Sequence, residues 1–152
     1  MKRMFPMKRI YGALFVALFA VTTSAQWMDD TPAFHTGPPP KGEKLAPILR
    51  PDQVTGQGVQ YPYQKHAYVL ASKVDKVIYQ QPCYCHCDKG HGHTSLRTCF
   101  ESIHGAHCGI CLKEAVYTYQ QSKKGKTAAQ IRQGIMNKDY ENVNLETSSA
   151  IQ

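Results

Sequence analysis

Three cysteines alternate along Cys83-Tyr84-Cys85-His86-Cys87, a fourth follows at Cys99, and two more, Cys108 and Cys111, flank Gly109-Ile110. Thiols are soft ligands and, once ionised, nucleophiles. The spacing therefore suits two chemistries, capture of a soft or borderline metal ion and thiol–disulfide exchange. In an extended stretch alternate side chains share a side, so Cys83, Cys85 and Cys87 can face one point while Tyr84 and His86 face away. Neighbours within such a triple are poorly placed to bridge one another in ordinary disulfide geometry; each is expected to need a distant partner or a metal. Cys108 and Cys111 fall at an expected helix start, where unpaired amides and the helix dipole favour a thiolate and the same spacing delivers two sulfurs to one ion.

The window from Cys83 to Cys111 holds all six cysteines and five of the seven histidines. Two thiolates from Cys108 and Cys111 with two from the loop make a tetrahedral sulfur site, and His93 or His104 in place of one gives three sulfurs and a nitrogen. The metal set read from the sequence is therefore Cys83, Cys85, Cys87, Cys99, Cys108, Cys111, His93 and His104. Six sulfurs exceed one tetrahedron, which points to a second ion, a bridged pair of ions, or a metal site beside one disulfide. Copper and zinc both suit such donors, and softness alone does not choose between them. His107 flanks the same pair, and His91 could ligate or be solvated. His35 and His66 are read as surface residues, Glu114 as a solvated helical acid, and Tyr117 and Tyr119 as packing residues.

Several activities are excluded on spacing. Covalent haem needs His directly after Cys-x-x-Cys, and position 112 is Leu. A thioredoxin-like site would follow a strand, whereas helical periods flank this one on both sides. Zinc-deaminase spacing fails because no His-x-Glu precedes Pro82-Cys83-Tyr84-Cys85. No catalytic residue is assigned. In a thiol-redox or peroxide-reducing protein the work would fall on Cys83, Cys85 and Cys87 as attacking groups, with Cys108 or Cys111 resolving.

The elements that must position these residues are helical. Ala67, Leu70, Ala71, Val74, Val77 and Ile78 recur at three- and four-residue intervals, predicting an amphipathic helix over residues 63–79 that Pro82 stops before the first cysteine. The segment from Cys83 to His93 reads as a polar, glycine-containing loop. Leu96, Cys99, Phe100 and Ile103 share a face of a second helix, capped by Thr94 or Ser95 and broken by Gly105. A third begins near His107 with Cys108, Cys111, Leu112, Ala115, Val116 and Tyr119 in one stripe. Thr127 and Gln130 have capping-box spacing for a fourth, with Ala128, Ile131 and Ile135 inward. The expected fold is mainly α, a small Cys/His-rich domain of about four short helices over residues 63–140, followed by a polar, frayed tail over 141–152. A domain this small often needs disulfides or a metal.

Upstream, Lys2, Arg3, Lys8 and Arg9 precede an apolar run and then Thr22, Thr23, Ser24 and Ala25, the order of a secretory signal peptide over residues 1–25. The run is too short for a confident membrane span, and the mature form is expected to have no stable span. Residues 26–62 hold seven of the nine prolines and read as a flexible, disordered leader in which Trp27, Phe34, Leu45 and Ile48 are exposed. Four of the 18 basic residues leave with the signal, so 14 face 11 acids and the net charge falls from +7 to +3. Nucleic acid is thus not an expected partner. Secretion to the periplasm or the exterior would permit disulfides.

Pro82-Cys83-Tyr84-Cys85-His86-Cys87, with Gly92-His93, Ser95-Leu96, Cys99-Phe100, His104, Cys108, Cys111 and Glu114, resembles the CYCXC family of secreted bacterial proteins and selenoproteins, related to the PCYCGC-motif lipoproteins. The resemblance implies a reactive chalcogen or a soft-metal ligand in the motif, which here would be thiolate. Residue 26 is Gln, so the lipid-anchor cysteine of the lipoproteins is not at that position. The residues favour a secreted metal-binding protein, with metal as its partner. The alternatives are an extracytoplasmic thiol-redox protein and a binding module stapled by three disulfides.

Overall fold

The computed structural model describes residues 30–150, so the expected signal peptide and Trp27 lie outside the described residues. The described part is helical, with no strand among its residues. Helix α1 (Pro62–Lys73) and helix α2 (Asp75–Ile78) together occupy the predicted first helix, but Val74 separates them with φ −122° and ψ 31°. Its N–H reaches back only three residues, to Ala71, and its carbonyl opens the next helix. The kink sends Asp75 toward Arg97, whose guanidinium Nε lies 2.6 Å from the Asp75 carboxylate. Periodicity alone carries no trace of that pairing.

Helix α3 (Cys87–His91) is a single turn in what reads as loop. Two 3₁₀ segments, Leu96–Phe100 and Ile103–His107, stand where one α-helix is predicted. Helix α4 (Gly109–Lys123) begins at the Cys-x-x-Cys pair, and helix α5 (Ala128–Met136) carries the Thr127–Gln130 capping box as its spacing implies. Ile131 and Ile135 of α5 are fully buried.

Helix α4 is the central element, packed against α1, α2, α5 and both 3₁₀ segments. Nine of its residues from Cys111 to Gln121 are buried, which suits a helix enclosed on most sides rather than along one stripe. Tyr68 of α1 meets Phe100 edge-on at 4.8 Å. Its hydroxyl donates to the Ser102 carbonyl at 2.7 Å and accepts from the Ala106 N–H at 3.0 Å, tying the second 3₁₀ segment to the core. Gly105 makes this close approach possible: a Cβ there would lie 2.7 Å from the Cys99 carbonyl oxygen. Burial of a side chain such as Phe100 or Leu96 stabilises the fold by about 1.5–3 kcal/mol each, so α1, α4 and the 3₁₀ pair share an apolar core.

Two expectations are corrected outside the helices. Residues 30–61 contain no regular element, yet they are strapped onto the domain rather than free of it. Val54 is fully buried, Ile48 and Leu49 pack on the core, and the Leu49 N–H donates to the Phe100 carbonyl at 3.0 Å. His35 stacks on Tyr79 at 3.8 Å, and Phe34 lies under the Arg132 guanidinium at 4.5 Å. Arg97 donates to the Ala46 carbonyl and pairs with Glu101, so one buried cation ties the strap to the first 3₁₀ segment. The polar tail also folds back. Tyr140 and Val143 are buried, and a last helix α6 (Leu145–Ser148) rests against α1 and α4. Both segments are poor in apolar periodicity but supply single anchors that the core accepts. No helix among the described residues is long and apolar enough to cross a membrane.

Candidate metal centre

The first cysteines enter from the end of the α1–α2 arm. Gln81 is fully buried, its amide donating to the carbonyls of Val77 and Ala128, and its own carbonyl receives the Leu96 N–H at 2.8 Å. This fixes both ends of the stretch 81–96 and turns the chain so that Cys83 enters the core. The Sγ of Cys83 lies 3.2 Å from Sγ of Cys85 and 3.2 Å from Sγ of Cys111, and Cys111 is 3.5 Å from Cys85. Cys83, Cys85, Cys87, Cys99 and Cys111 form a group whose sulfurs all lie within 4.8 Å of one another. A second group meeting the same limit is Cys87, His93 and His104. Cys87 Sγ is 3.0 Å from Nε2 of His104, and Cys99 Sγ is 3.2 Å from Nδ1 of His93.

Seven of the eight ligands read from the sequence are therefore brought together, and Cys108 stands outside both groups. It caps α4 instead, its sulfur accepting the Cys111 N–H at 3.4 Å. The helix start thus holds Cys108 at the rim, half-buried, and directs Cys111 inward.

One pairing departs from expectation. Cys85 and Cys87 are joined as a disulfide, although alternate residues of an extended strand are poorly placed to bridge. The chain is not extended here. His86 adopts the left-handed conformation, φ 56° and ψ 35°, which turns Cys85 and Cys87 toward each other with Cα atoms 5.6 Å apart. That conformation costs a residue with a Cβ about 1–2 kcal/mol relative to its right-handed alternatives. Cys83, Cys99, Cys108 and Cys111 remain as thiols.

Glu114 is the residue that sequence reasoning missed. It is fully buried one turn beyond Cys111, not solvated. One carboxylate oxygen accepts the Tyr84 N–H at 2.9 Å, holding the cysteine loop against α4, and the other has no partner. Burial, reinforced by the neighbouring Cys83, raises its pKa well above the usual 4.5. The clues in the sequence are its i+3 spacing from Cys111, among apolar neighbours at Leu112, Ala115 and Val116, and its place among the residues that carry the family resemblance.

The sulfurs are electrostatically unequal. Contacts with Cys111 and Cys83 draw Cys99 down to about 5, in spite of its burial. The thiol of Cys111, with backbone amides at the helix start, brings Cys108 to about 6. Cys111 is pushed up by Cys108, Cys83, Cys99 and burial in turn. Cys111 pulls Cys83 down, but contact with Cys99 and burial outweigh it and leave the thiol high. Burial lowers His93, and burial with the neighbouring histidines lowers His104, so both favour the neutral, ligating imidazole. The donor set of crowded thiols, with Cys99 acidified among them, beside neutral imidazoles is one that a soft cation would complete.

No curated protein and no solved structure matches the chain. A family model described as a protein of unknown function with PCYCGC motif matches residues 58–149, which takes in all of α1 to α6 and every residue of both groups. This chain carries Pro82-Cys83-Tyr84-Cys85-His86-Cys87, with His where the motif has Gly. Glycine adopts the left-handed turn between the second and third cysteines without a steric penalty. From that match across more than half its length, the chain belongs to the family of proteins of unknown function that carry the PCYCGC motif.

Proposed function

We propose that this is an exported, extracytoplasmic protein that binds a soft or borderline metal ion, copper or zinc, through the buried sulfur group, and that it serves in metal handling. The observation that carries this reading is the convergence of five sulfurs from three separate segments within 4.8 Å. A disulfide scaffold has no need to gather unpaired thiols at one point, whereas an ion bound there would be held by its ligands and would in turn compensate their mutual repulsion. Reduction of Cys85–Cys87 makes all five sulfurs available; with that bond in place three remain, Cys83, Cys99 and Cys111. The test is elemental analysis of the full chain, purified without a metal-affinity tag and kept reduced. At least one copper or zinc per chain is expected, and a reduced chain with no stoichiometric metal would remove the idea.

The Cys85–Cys87 bond supports a second reading, an extracytoplasmic thiol-redox protein of the kind the CYCXC resemblance implies. Cys83 stands 3.2 Å from Cys85, close enough for thiol–disulfide exchange between neighbours. This reading requires turnover with a thiol donor and an oxidant, and loss of turnover in Cys85→Ser with the fold intact. The metal reading requires neither.

A further inference from the structure

The sulfur group does not end at the protein interior. Cys87 belongs both to the buried sulfurs and to the second group, whose other members are the half-buried His93 and His104. His91 adds a third imidazole, with ring centroids 4.6 Å from His104 and 5.8 Å from His93. A cleft of about 530 Å³ opens over this face, lined by His86, Cys87, His91, His104, His107 and Cys108 among others. Its histidines come from three elements: the left-handed turn before α3, the end of α3, and the second 3₁₀ segment. Such a concentration is not required to close the core, which includes Cys87 and Cys99 but none of these histidines. The imidazoles also touch the sulfur group at two points, His104 against Cys87 and His93 against Cys99.

We infer that Cys87, His93 and His104 form a second metal site, reached from the cleft through Cys87 and His104, that receives copper(I) from solution or a donor and passes it through the shared Cys87 to the buried sulfurs. The inference rests on the metal reading above. Copper(I) is favoured over zinc because the group offers one sulfur and two nitrogens, a three-coordinate set that copper(I) accepts, whereas a structural zinc site takes four protein ligands. Cys87 is available only once the Cys85–Cys87 bond has taken up two electrons and two protons from a thiol reductant, which is itself left as a disulfide. Transfer is then ligand exchange with no change in oxidation state. The bond from copper to His104 breaks as a bond to the Cys83 sulfur forms, and that thiol releases its proton to water.

The experiment is an anaerobic titration of the reduced full chain with copper(I), compared with His93→Ala/His104→Ala. The wild type should take up one equivalent more than the double variant, and its first equivalent should load at least tenfold faster. X-ray absorption on the wild type, which needs no variant to fold, should show nitrogen joining sulfur in the copper shell as the second equivalent binds. A wild type that binds neither copper(I) nor zinc overturns the metal reading and this site with it. One equivalent, bound equally fast by wild type and variant with an all-sulfur shell, overturns only the second site. An extra equivalent seen with zinc and not with copper(I) overturns the choice of ion.

Discussion

Cys111 and Glu114 stand on a helix buried on almost every side, whereas Cys85, Cys87, His91 and His93 stand on a stretch with one five-residue helix and, from 83 to 93, no buried apolar side chain besides Cys83 and Cys87. The first half of the centre is held by packing that owes nothing to an ion, since Tyr68, Leu96, Phe100, Ile131 and Ile135 are all buried independently of it. The second half is held by its sulfurs, by the Tyr84–Glu114 hydrogen bond and by the strap, through the Ala33–Asp88 and Asp30–Lys89 contacts. A rigid wall and a compliant wall therefore meet at the sulfur group. Loss of an ion should loosen residues 83–93 and spare α1 and α4. The size of the foldable region suggests that the whole domain depends on the cluster; the packed core narrows that dependence to the loop.

The largest effect should separate the two cysteines of the Cys-x-x-Cys pair. Cys111→Ser removes an inner sulfur from the rigid wall, and metal affinity should fall by more than about 100-fold, since outer-shell changes alone cost 10–100-fold. Cys108→Ser, at the rim, should leave metal capacity unchanged. Equal losses, measured by competition with a chelator, would break the distinction between the walls.

Glu114 sharpens the same comparison, because it is the bolt between them. Glu114→Ala leaves the Tyr84 N–H without its acceptor and opens a void beside α4, for a loss of roughly 3 kcal/mol in denaturant unfolding. Glu114→Gln keeps an acceptor and removes the titration. A carboxyl whose pKa is raised on folding binds more protons in the native state, so its contribution is complete below the usual 4.5 and is lost as pH rises toward the folded value. The metal-free protein should therefore lose stability over that rise, with a slope of up to about 1.4 kcal/mol per pH unit, and Glu114→Gln should flatten it.

Cys108 tests the electrostatics of the rim. With its pKa lowered from 9.0 to about 6, its thiolate contribution to stability is present above 9 and is lost as pH falls through 6. Its alkylation by iodoacetamide in the metal-free protein should show a midpoint near pH 6 and precede that of Cys83 and Cys111. A midpoint near the ordinary value would mean that the helix start does not activate it. The smallest effects concern two glycines. Gly105→Ala should destabilise by about 1–3 kcal/mol, because its Cβ meets the Cys99 backbone. Gly109→Ala, with open space around it in the first turn of α4, should be neutral or stabilise by up to about 1 kcal/mol.

Much of this arrangement is legible in the residues themselves. The apolar periods of α1, α4 and α5, the Thr127 cap and the helix start at Cys108 follow from local rules that tertiary packing did not override. The cysteines and His93 and His104 could be nominated because thiol and imidazole are rare and were concentrated. What was not legible depends on contacts distant in sequence. The break at Val74 goes with an ion pair to Arg97, the strap docks through isolated side chains such as Val54, and Glu114 is buried because α4 is enclosed on most sides. The Cys85–Cys87 pairing depends on one left-handed residue, and His gives no local sign of adopting it.

The central claim, that the buried sulfurs hold a soft ion, is tested most directly by X-ray absorption on the reduced full chain loaded with one equivalent of copper(I) or zinc. The account predicts a first shell dominated by sulfur, at about 2.3 Å for zinc, that is diminished in Cys111→Ser and kept in Cys108→Ser. A shell of oxygen and nitrogen only, or a sulfur shell indifferent to Cys111, would contradict it.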